Sequence, residues 1–314
     1  VKGGIRKATR NDLQRLETEK PNAASTDLDR KSSLRIARII NAEDRRVARA
    51  VQPSLPQIAR AIDCIATALS AGGRLIYVGT GTSGRIAALD AAECPPTFNT
   101  KPRMVQFVMA GGPKALAEAV EASEDSRRLG RQAIAKTKPG KNDVVVGLAA
   151  SGRTPFTVAA LEYARSQGSK TIAVVCNRNS ALERAADIGI VAEVGPEVVA
   201  GSTRMKAGTA QKMILNMLTT GAMTRLGYVY GNLMVNLRLK NEKLAERGIG
   251  ILKKTAGLKR AKARKLLASA RHNVPVALVM AKAGVTRTQA IAALRDTAGH
   301  VRNAIAAARL ATGG

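Results

Sequence analysis

The sequence predicts an α/β fold: a doubly wound parallel sheet, preceded by N-terminal helices and followed by a small all-helical domain. Three observations predict it. Between Gly72 and about Leu239, five strand-like runs (LIYVG, MVQFVMA, VVVGLAA, TIAVVC and IGIVAE) alternate with helical stretches, the order that builds a parallel sheet with helices on both faces. The runs are apolar along most of their length instead of at every second residue, as strands buried on both faces are. From Asn241 onward the pattern turns purely helical and rich in Ala, Lys and Arg. A chain of 314 residues has room for one α/β domain with a substantial core and a smaller appendage.

Along the chain, residues 1–20, with Gly3-Gly4 and several basic side chains, read as a flexible basic arm. Leu34 to Leu69 carries apolar residues at helical spacing, interrupted at Pro53 and Pro56, where the ring removes a backbone donor and opposes a continuing helix. Residues 21–240 comprise these helices and the five strands. The last region, 241–314, breaks near Gly257, Asn273-Val274-Pro275, Gly284 and Gly299, a pattern read as three or four short helices.

Chemistry is concentrated at the ends of two strands. In Leu75-Ile76-Tyr77-Val78 every residue favours a strand. Gly79-Thr80-Gly81-Thr82-Ser83-Gly84 follows, a loop whose N–H groups and hydroxyls can converge on an anion. Arg85 and the apolar periodicity after it open a helix, whose N-terminal dipole favours the same anion. The loop lacks the G-K-[ST] of a P-loop. Gly79, Gly81 and Gly84 spell G-x-G-x-x-G, but no acidic residue stands about 20 positions on at a strand end, as a dinucleotide site needs. A phosphorylated small molecule is the expected ligand. Asp143 to Ala149 reads as a second buried strand, followed by Ala150-Ser151-Gly152-Arg153-Thr154-Pro155, with Pro155 suited to the first turn of a helix. Two hydroxyl-rich strand ends in one parallel sheet point to one shared crevice, because ligands bind there where the strand order reverses.

The formal net charge is +28, steepest after residue 240, where 15 Lys and Arg stand against 3 Asp and Glu. Such a balance attracts anionic surfaces or nucleic acid without sequence preference, or is simply a solvated surface. With no Trp, three Phe and four Tyr, stacking groups for single strands are scarce, and a nucleic-acid partner is not expected. Cys64, Cys94 and Cys176 are odd in number and lack metal-ligand spacing, which points to a reducing, cytoplasmic setting and no disulfide framework. Cys94 beside Glu93 has no neighbouring His to activate it in the sequence and reads as a small buried thiol. His272 and His300 stand apart from any Cys, Asp or Glu cluster, so no metal is expected. No apolar run approaches the roughly 20 residues of a membrane helix, and no signal pattern is read at the start.

Longer strings carry a resemblance. They are Ile39-Ile40-Asn41-Ala42-Glu43-Asp44, the GTGTSGR loop, Glu93-Cys94-Pro95-Pro96-Thr97-Phe98, Glu121-Ala122-Ser123-Glu124-Asp125-Ser126, the SGRTP loop, the run GPEVVAGSTRMKAGTAQK over residues 195–212, and Gly231-Asn232-Leu233-Met234-Val235. Across roughly residues 15–250 the chain resembles the sugar isomerase (SIS) fold of phosphosugar-binding proteins, and within it the bacterial N-acetylmuramic acid 6-phosphate etherases. ECPPTF and GSTRMKAGTAQK are far more specific than any glycine pattern. Two departures stand out: Thr80 where the family usually has a small alanine, and Ala87-Ala88 in place of a pair that usually contains glycine and a bulkier residue. Residues 258–298 are similar to a ubiquitin-associated-like helical fold seen as an appendage in etherase relatives, making 241–314 a lid or packing module.

The resemblance implies cleavage of the D-lactyl ether at C3 of the phosphorylated amino sugar, by elimination of lactate and addition of water, in cell-wall sugar recycling. It names Glu93 as the acid that protonates the leaving lactate and Glu124 as base or water activator, with their division of labour left open. Glu121, one helical turn before Glu124, is positioned to raise the pKa of one of the pair. By position, Thr82, Ser83, Ser151 and Thr154 are expected to meet the 6-phosphate, and Arg153 either the lactyl carboxylate or a structural acceptor. Ser202, read with Thr203 as a helix cap, and Lys206 form a third candidate anion contact. No cofactor is required. A homodimer is implied by resemblance, since members of this fold commonly place the sugar near a twofold interface. The competing readings are a non-catalytic phosphosugar sensor and a sugar-phosphate isomerase.

Overall fold

The five runs form one parallel sheet. In the computed structural model, which describes residues 16–118, 123–237, 239 and 242–312, the strands are β1 (Leu75–Gly79), β2 (Val105–Met109), β3 (Val144–Ala149), β4 (Lys170–Val175) and β5 (Ile188–Val191). Their order is β2-β1-β3-β4-β5. Leu75 is level with Val105 on one side and Val144 on the other, and Gly79 with Met109 and Leu148. Every residue of β1 and β3 is buried, as central strands covered on both faces must be. The chain leaves β1 for the edge strand β2 and returns to β3 on the opposite side. The order therefore reverses between β1 and β3, and the two Gly/Ser/Thr loops leave the sheet at that switch point.

The helices, numbered along the chain, are α1 (Ser33–Asp44), α2 (Val47–Val51), α3 (Leu55–Ser70), α4 (Gly81–Phe98), α5 (Arg127–Ala135), α6 (Pro155–Ser166), α7 (Ala181–Arg184), α8 (Lys206–Arg225), α9 (Glu242–Ala256), α10 (Arg260–Ser269), α11 (Val274–Ala283), α12 (Arg287–Asp296) and α13 (Val301–Ala311). Pro53 falls in a 3-10 turn and Pro56 in the first turn of α3, where a missing donor costs nothing. In α3, Ile58, Ala61, Ile65 and Leu69 bury one stripe, the spacing of an amphipathic helix. The strands contribute Ile76, Val78, Val145, Ala173 and Val175 to a core closed by Ile134, Phe156, Leu161 and Leu182. Each such aliphatic side chain, fully buried, stabilises the fold by about 1.5–3 kcal/mol.

Packing divides the chain into two compact units. One comprises the described residues up to Ala91 together with Arg103–Leu218; the other comprises Ala92–Pro102 and the described residues from Thr219 onward. This packing division falls at 218, within α8, whereas the sequence pattern changes at about 240. In the second unit β6 (Val229–Tyr230) and β7 (Leu233–Met234) form a hairpin, and Asn236 Nδ2 donates to Phe98 O at 2.9 Å, tying 92–102 to the segment after it. Five helices follow, more than the three or four expected, because each of the four sequence breaks ends a helix. Gly284 (φ +68) closes α11, and Thr286 and Gln289 form a capping box on α12. Leu252, Leu267, Leu278, Ala290 and Val301 fill the core of this unit. His300 packs on Gly227, where a Cβ would come within 2.6 Å of it, so this histidine has a packing role.

The described end of the expected flexible arm is not loose. Leu16 and Thr18 are buried, Gly201 N donates to Thr18 O at 3.1 Å, and Glu17 N donates to Asn177 Oδ1 at 3.1 Å. Asn177, just past β4, also donates to Ala150 O at 3.0 Å. Residues 16–20 are therefore strapped over the carboxyl ends of β3 and β4. Residues 1–15 lie outside the described residues.

Candidate active site

The first loop runs directly into α4. Gly79 and Gly84 meet at the turn: a Cβ on Gly79 would lie 2.9 Å from Gly84 N, and one on Gly84 would lie 2.8 Å from Met109 Cγ. Only glycines allow that approach, which brings the first turn of α4 onto the end of β1. Gly84 N donates to Thr80 O at 3.0 Å. Thr82 and Ser83, half-buried, sit in that first turn, where helix N–H groups lack intrahelical acceptors and attract anions. Thr80, the family departure, is buried.

The second loop is drawn back onto the sheet. Arg153 N donates to Ser151 Oγ at 3.2 Å, while Gly152 O accepts from Leu182 N at 2.9 Å. Gly152 has φ +65, and a Cβ there would meet Ser180 Oγ at 2.3 Å. Ser151, Arg153 and Thr154 are half-buried. Thr154 precedes α6 without spending its hydroxyl on the cap, which leaves that oxygen to other acceptors or donors.

Glu124 stands between the loops. A Cβ on Gly81 would lie 3.3 Å from Glu124 Oε1, so its carboxylate rests against the first loop. Its backbone oxygen accepts from Phe156 N at 3.0 Å, tying it to the helix that follows the second. The segment 201–208 joins the same loop, since a Cβ on Gly208 would lie 3.5 Å from Thr82 Cγ2. Glu121, expected to raise the basicity of Glu124, lies outside the described residues. Glu93 is exposed, eleven residues beyond Thr82 in α4, and belongs to the second compact unit.

Lys206 is placed by its pairing inside the fold. Its side chain is 2% exposed and its Nζ donates to Glu43 Oε2 at 2.5 Å. Asn22 Nδ2 donates to the same oxygen at 2.9 Å, and Arg46 Nη1 to Oε1 at 3.0 Å. Burial by itself would raise the Glu43 pKa, but these donors, Lys206 foremost, more than offset it and hold it at about 2. Lys206 is an internal counter-ion to Glu43 in this structure. The expected cap is replaced too: Glu197 accepts from Lys206 N at 3.0 Å and Ala207 N at 2.9 Å, so a buried carboxylate caps α8 instead of Ser202 and Thr203. Burial pushes the Glu197 pKa up against those N–H donors. Ser202 remains half-exposed beside this turn. Cys94 and Cys176 are buried, and burial, with the charge of Glu197, pushes the Cys176 thiol up to about 12, which keeps it protonated and inert.

Sequence reasoning missed Arg85, Asn177 and Glu197. Arg85 Nε donates to Leu116 O at 3.2 Å and its Nη2 to Glu118 O at 2.8 Å, gripping the segment that leads toward Glu124. The arginine was visible in the GTGTSGR string, but its acceptors are backbone carbonyls more than 30 residues away, which no local pattern announces.

Residues 57–165 match the glucokinase regulatory protein N-terminal SIS domain, and residues 136–221 match the SIS domain. An N-acetylmuramic acid 6-phosphate etherase of Symbiobacterium thermophilum is 54% identical over 87% of this chain and 91% of that protein. Its counterpart in Aeromonas hydrophila is 49% identical over 92% and 97%, and that of Klebsiella aerogenes 47% over 94% and 98%. The chain belongs to the N-acetylmuramic acid 6-phosphate etherase family. The match covers the chain nearly end to end, so it takes in both compact units of this family member, not the sheet alone.

Proposed function

We propose that this chain is a carbon–oxygen lyase that converts N-acetylmuramic acid 6-phosphate to N-acetylglucosamine 6-phosphate and D-lactate. What carries the reading is a carboxylate, Glu124, against a phosphate-type loop in a chain of this family. An unactivated ether is a poor leaving group, but in the ring-opened sugar the C2 proton is α to the C1 aldehyde. A base removes it, the C3–O bond breaks, and the departing alkoxide takes a proton from an acid. Water then adds at C3 and a proton returns to C2. Acid and base catalysis each contribute about 10²–10⁴-fold.

In this reading Glu93 and Glu124 are the carboxyl pair, with Glu93 protonating lactate and Glu124 acting as base or water activator. Thr82, Ser83, Ser151 and Thr154 hold the 6-phosphate, and Arg153 meets either the lactyl carboxylate or a structural acceptor. The convergence of Glu124 on both loops supports its assignment. Glu93 rests on the ECPPTF resemblance. No cofactor enters the reaction. The reading includes a homodimer, for which exposed Leu89 and Phe107 offer apolar surface, and a cytoplasmic setting, consistent with three free cysteines. The sensor alternative gains nothing from relatives that are themselves named etherases.

The test is D-lactate release from the purified protein, run in ¹⁸O water. Label at C3 of the sugar with none in lactate is expected. Label in lactate alone would rule out elimination and hydration, and release from unphosphorylated N-acetylmuramic acid at comparable kcat/KM would rule out the phosphate cradle.

A further inference from the structure

We propose that Asn177 is a positioning residue that aims the backbone N–H of Ser151 into the phosphate crevice, with residues 17 and 18 holding it in place. The inference rests on the function proposed above and deepens its phosphate site. Asn177 lies two residues past β4, is 6% exposed and spends its carboxamide on three partners. Its Nδ2 donates to Ala150 O at 3.0 Å and to Thr18 Oγ1 at 3.4 Å, and its Oδ1 accepts from Glu17 N at 3.1 Å. Only one orientation of the amide serves them, since the Glu17 N–H needs an acceptor and Ala150 O needs a donor. The side chain is therefore used inside the fold and acts on the loop, not on the sugar.

What it acts on is one peptide group. Ala150 O also accepts from Cys176 N at 2.9 Å, so both lone pairs of this carbonyl are taken, one by a backbone donor and one by Asn177. A single hydrogen bond would let the peptide tilt about it, whereas two fix its plane. Because the peptide is planar and trans, the N–H of Ser151 points opposite to that oxygen. β3 stands between β4 and β1, and an oxygen held on the β4 side turns the N–H toward the β1 side, where the first loop leaves the sheet. That is the reversal point at which a parallel sheet binds its ligand. Gly152 N donates back to Ala149 O at 3.0 Å, which closes the turn after Ser151. A phosphate between the loops would thus meet the Ser151 N–H beside its hydroxyl. Residues 17 and 18, far from this loop in sequence, become part of its support.

The experiment titrates wild type, N177L and N177A, each as the full chain labelled with ¹⁵N-serine, with inorganic phosphate, and then measures lactate release. In wild type the Ser151 amide resonance, identified by its absence from S151A, is expected to move downfield as phosphate binds. Both variants should shift it less, weaken phosphate binding and raise KM in parallel by about 10-fold, and by no more than the ~150-fold of a lost hydrogen bond to a charged group. Their kcat should change less than about threefold. A merely structural role would lower the melting temperature and leave KM and the amide shift of the folded protein unchanged. A Ser151 amide that ignores phosphate in wild type would overturn the inference whatever the variants do. So would unchanged phosphate affinity and KM in the folded variants, a fall in kcat with KM unchanged, or failure of both variants to fold, which would make Asn177 a residue of the fold alone. If wild type released no lactate, the proposed function would fall, while the phosphate titration of the Ser151 amide would still decide the inference.

Discussion

Replacing Lys206 by Met distinguishes a structural lysine from a substrate-binding one. The substitution keeps most of the volume of a side chain that is 2% exposed and removes the Nζ that meets Glu43 at 2.5 Å. Asn22 and Arg46 remain as donors to Glu43, but Arg46 is largely solvated and contributes little. Breaking one side of a buried pair costs about 3–5 kcal/mol. The Glu43 titration agrees in scale: a fall from 4.5 to about 2 corresponds to about 3 kcal/mol. The sign follows from a depressed folded-state pKa. The contribution is complete above 4.5 and is lost as the pH falls from 4.5 toward 2. Native-state hydrogen exchange, read on peptides from β1 and β3, should show K206M less stable by about 3–5 kcal/mol at pH 7, with a smaller gap at pH 3. The double variant K206M/E43L should recover much of the loss, because an apolar pair of similar volume often replaces a buried ion pair without penalty. A K206M protein within about 1 kcal/mol of wild type at pH 7 but with KM raised tenfold or more would refute the reasoning, returning Lys206 to the ligand.

Ser83→Ala and Ser151→Ala should each raise KM by about 10- to 150-fold while sparing the fold, the loss of one hydrogen bond to a charged group; steady-state kinetics with thermal unfolding checks both. Glu93→Gln should still exchange the C2 proton with deuterium while releasing almost no lactate, whereas Glu124→Gln should be impaired in C2 exchange or in hydration, as NMR of the sugar will show. Neutralising Lys253, Lys254, Lys262, Arg264 and Lys265 together should leave lactate release unchanged, and duplex DNA should bind the wild type only weakly, with an affinity that collapses as salt rises. Sequence-selective DNA binding at physiological salt would instead favour the sensor.

The candidate phosphate-type loops were legible because their parts are local in sequence. A strand, a glycine turn and a helix start are contiguous from Leu75 to Arg85, and each is recognisable from backbone preferences alone. Placing the two loops in one crevice needed only the rule for parallel sheets, which the β2-β1-β3-β4-β5 order obeys. The pairing of Lys206 with Glu43 was not legible for the opposite reason. A lysine in a Ser/Thr/Gly-rich run looks like an anion contact until Glu43, 163 residues away, is brought to it.

By itself the sequence determined the five strands, the breaks among the C-terminal helices and the positions of both phosphate-type loops, because these follow from apolar patterning and from glycine and proline stereochemistry within a few residues. Family membership was legible too, in strings such as ECPPTF. Only the tertiary structure decided which charges are spent internally: Lys206 on Glu43, the Glu197 carboxylate on the start of α8, and Arg85 on the carbonyls of Leu116 and Glu118. The physical reason is that a charged side chain is assigned by what lies within about 3 Å of it after burial. Partners far apart in sequence are chosen by packing, which no window of the chain contains.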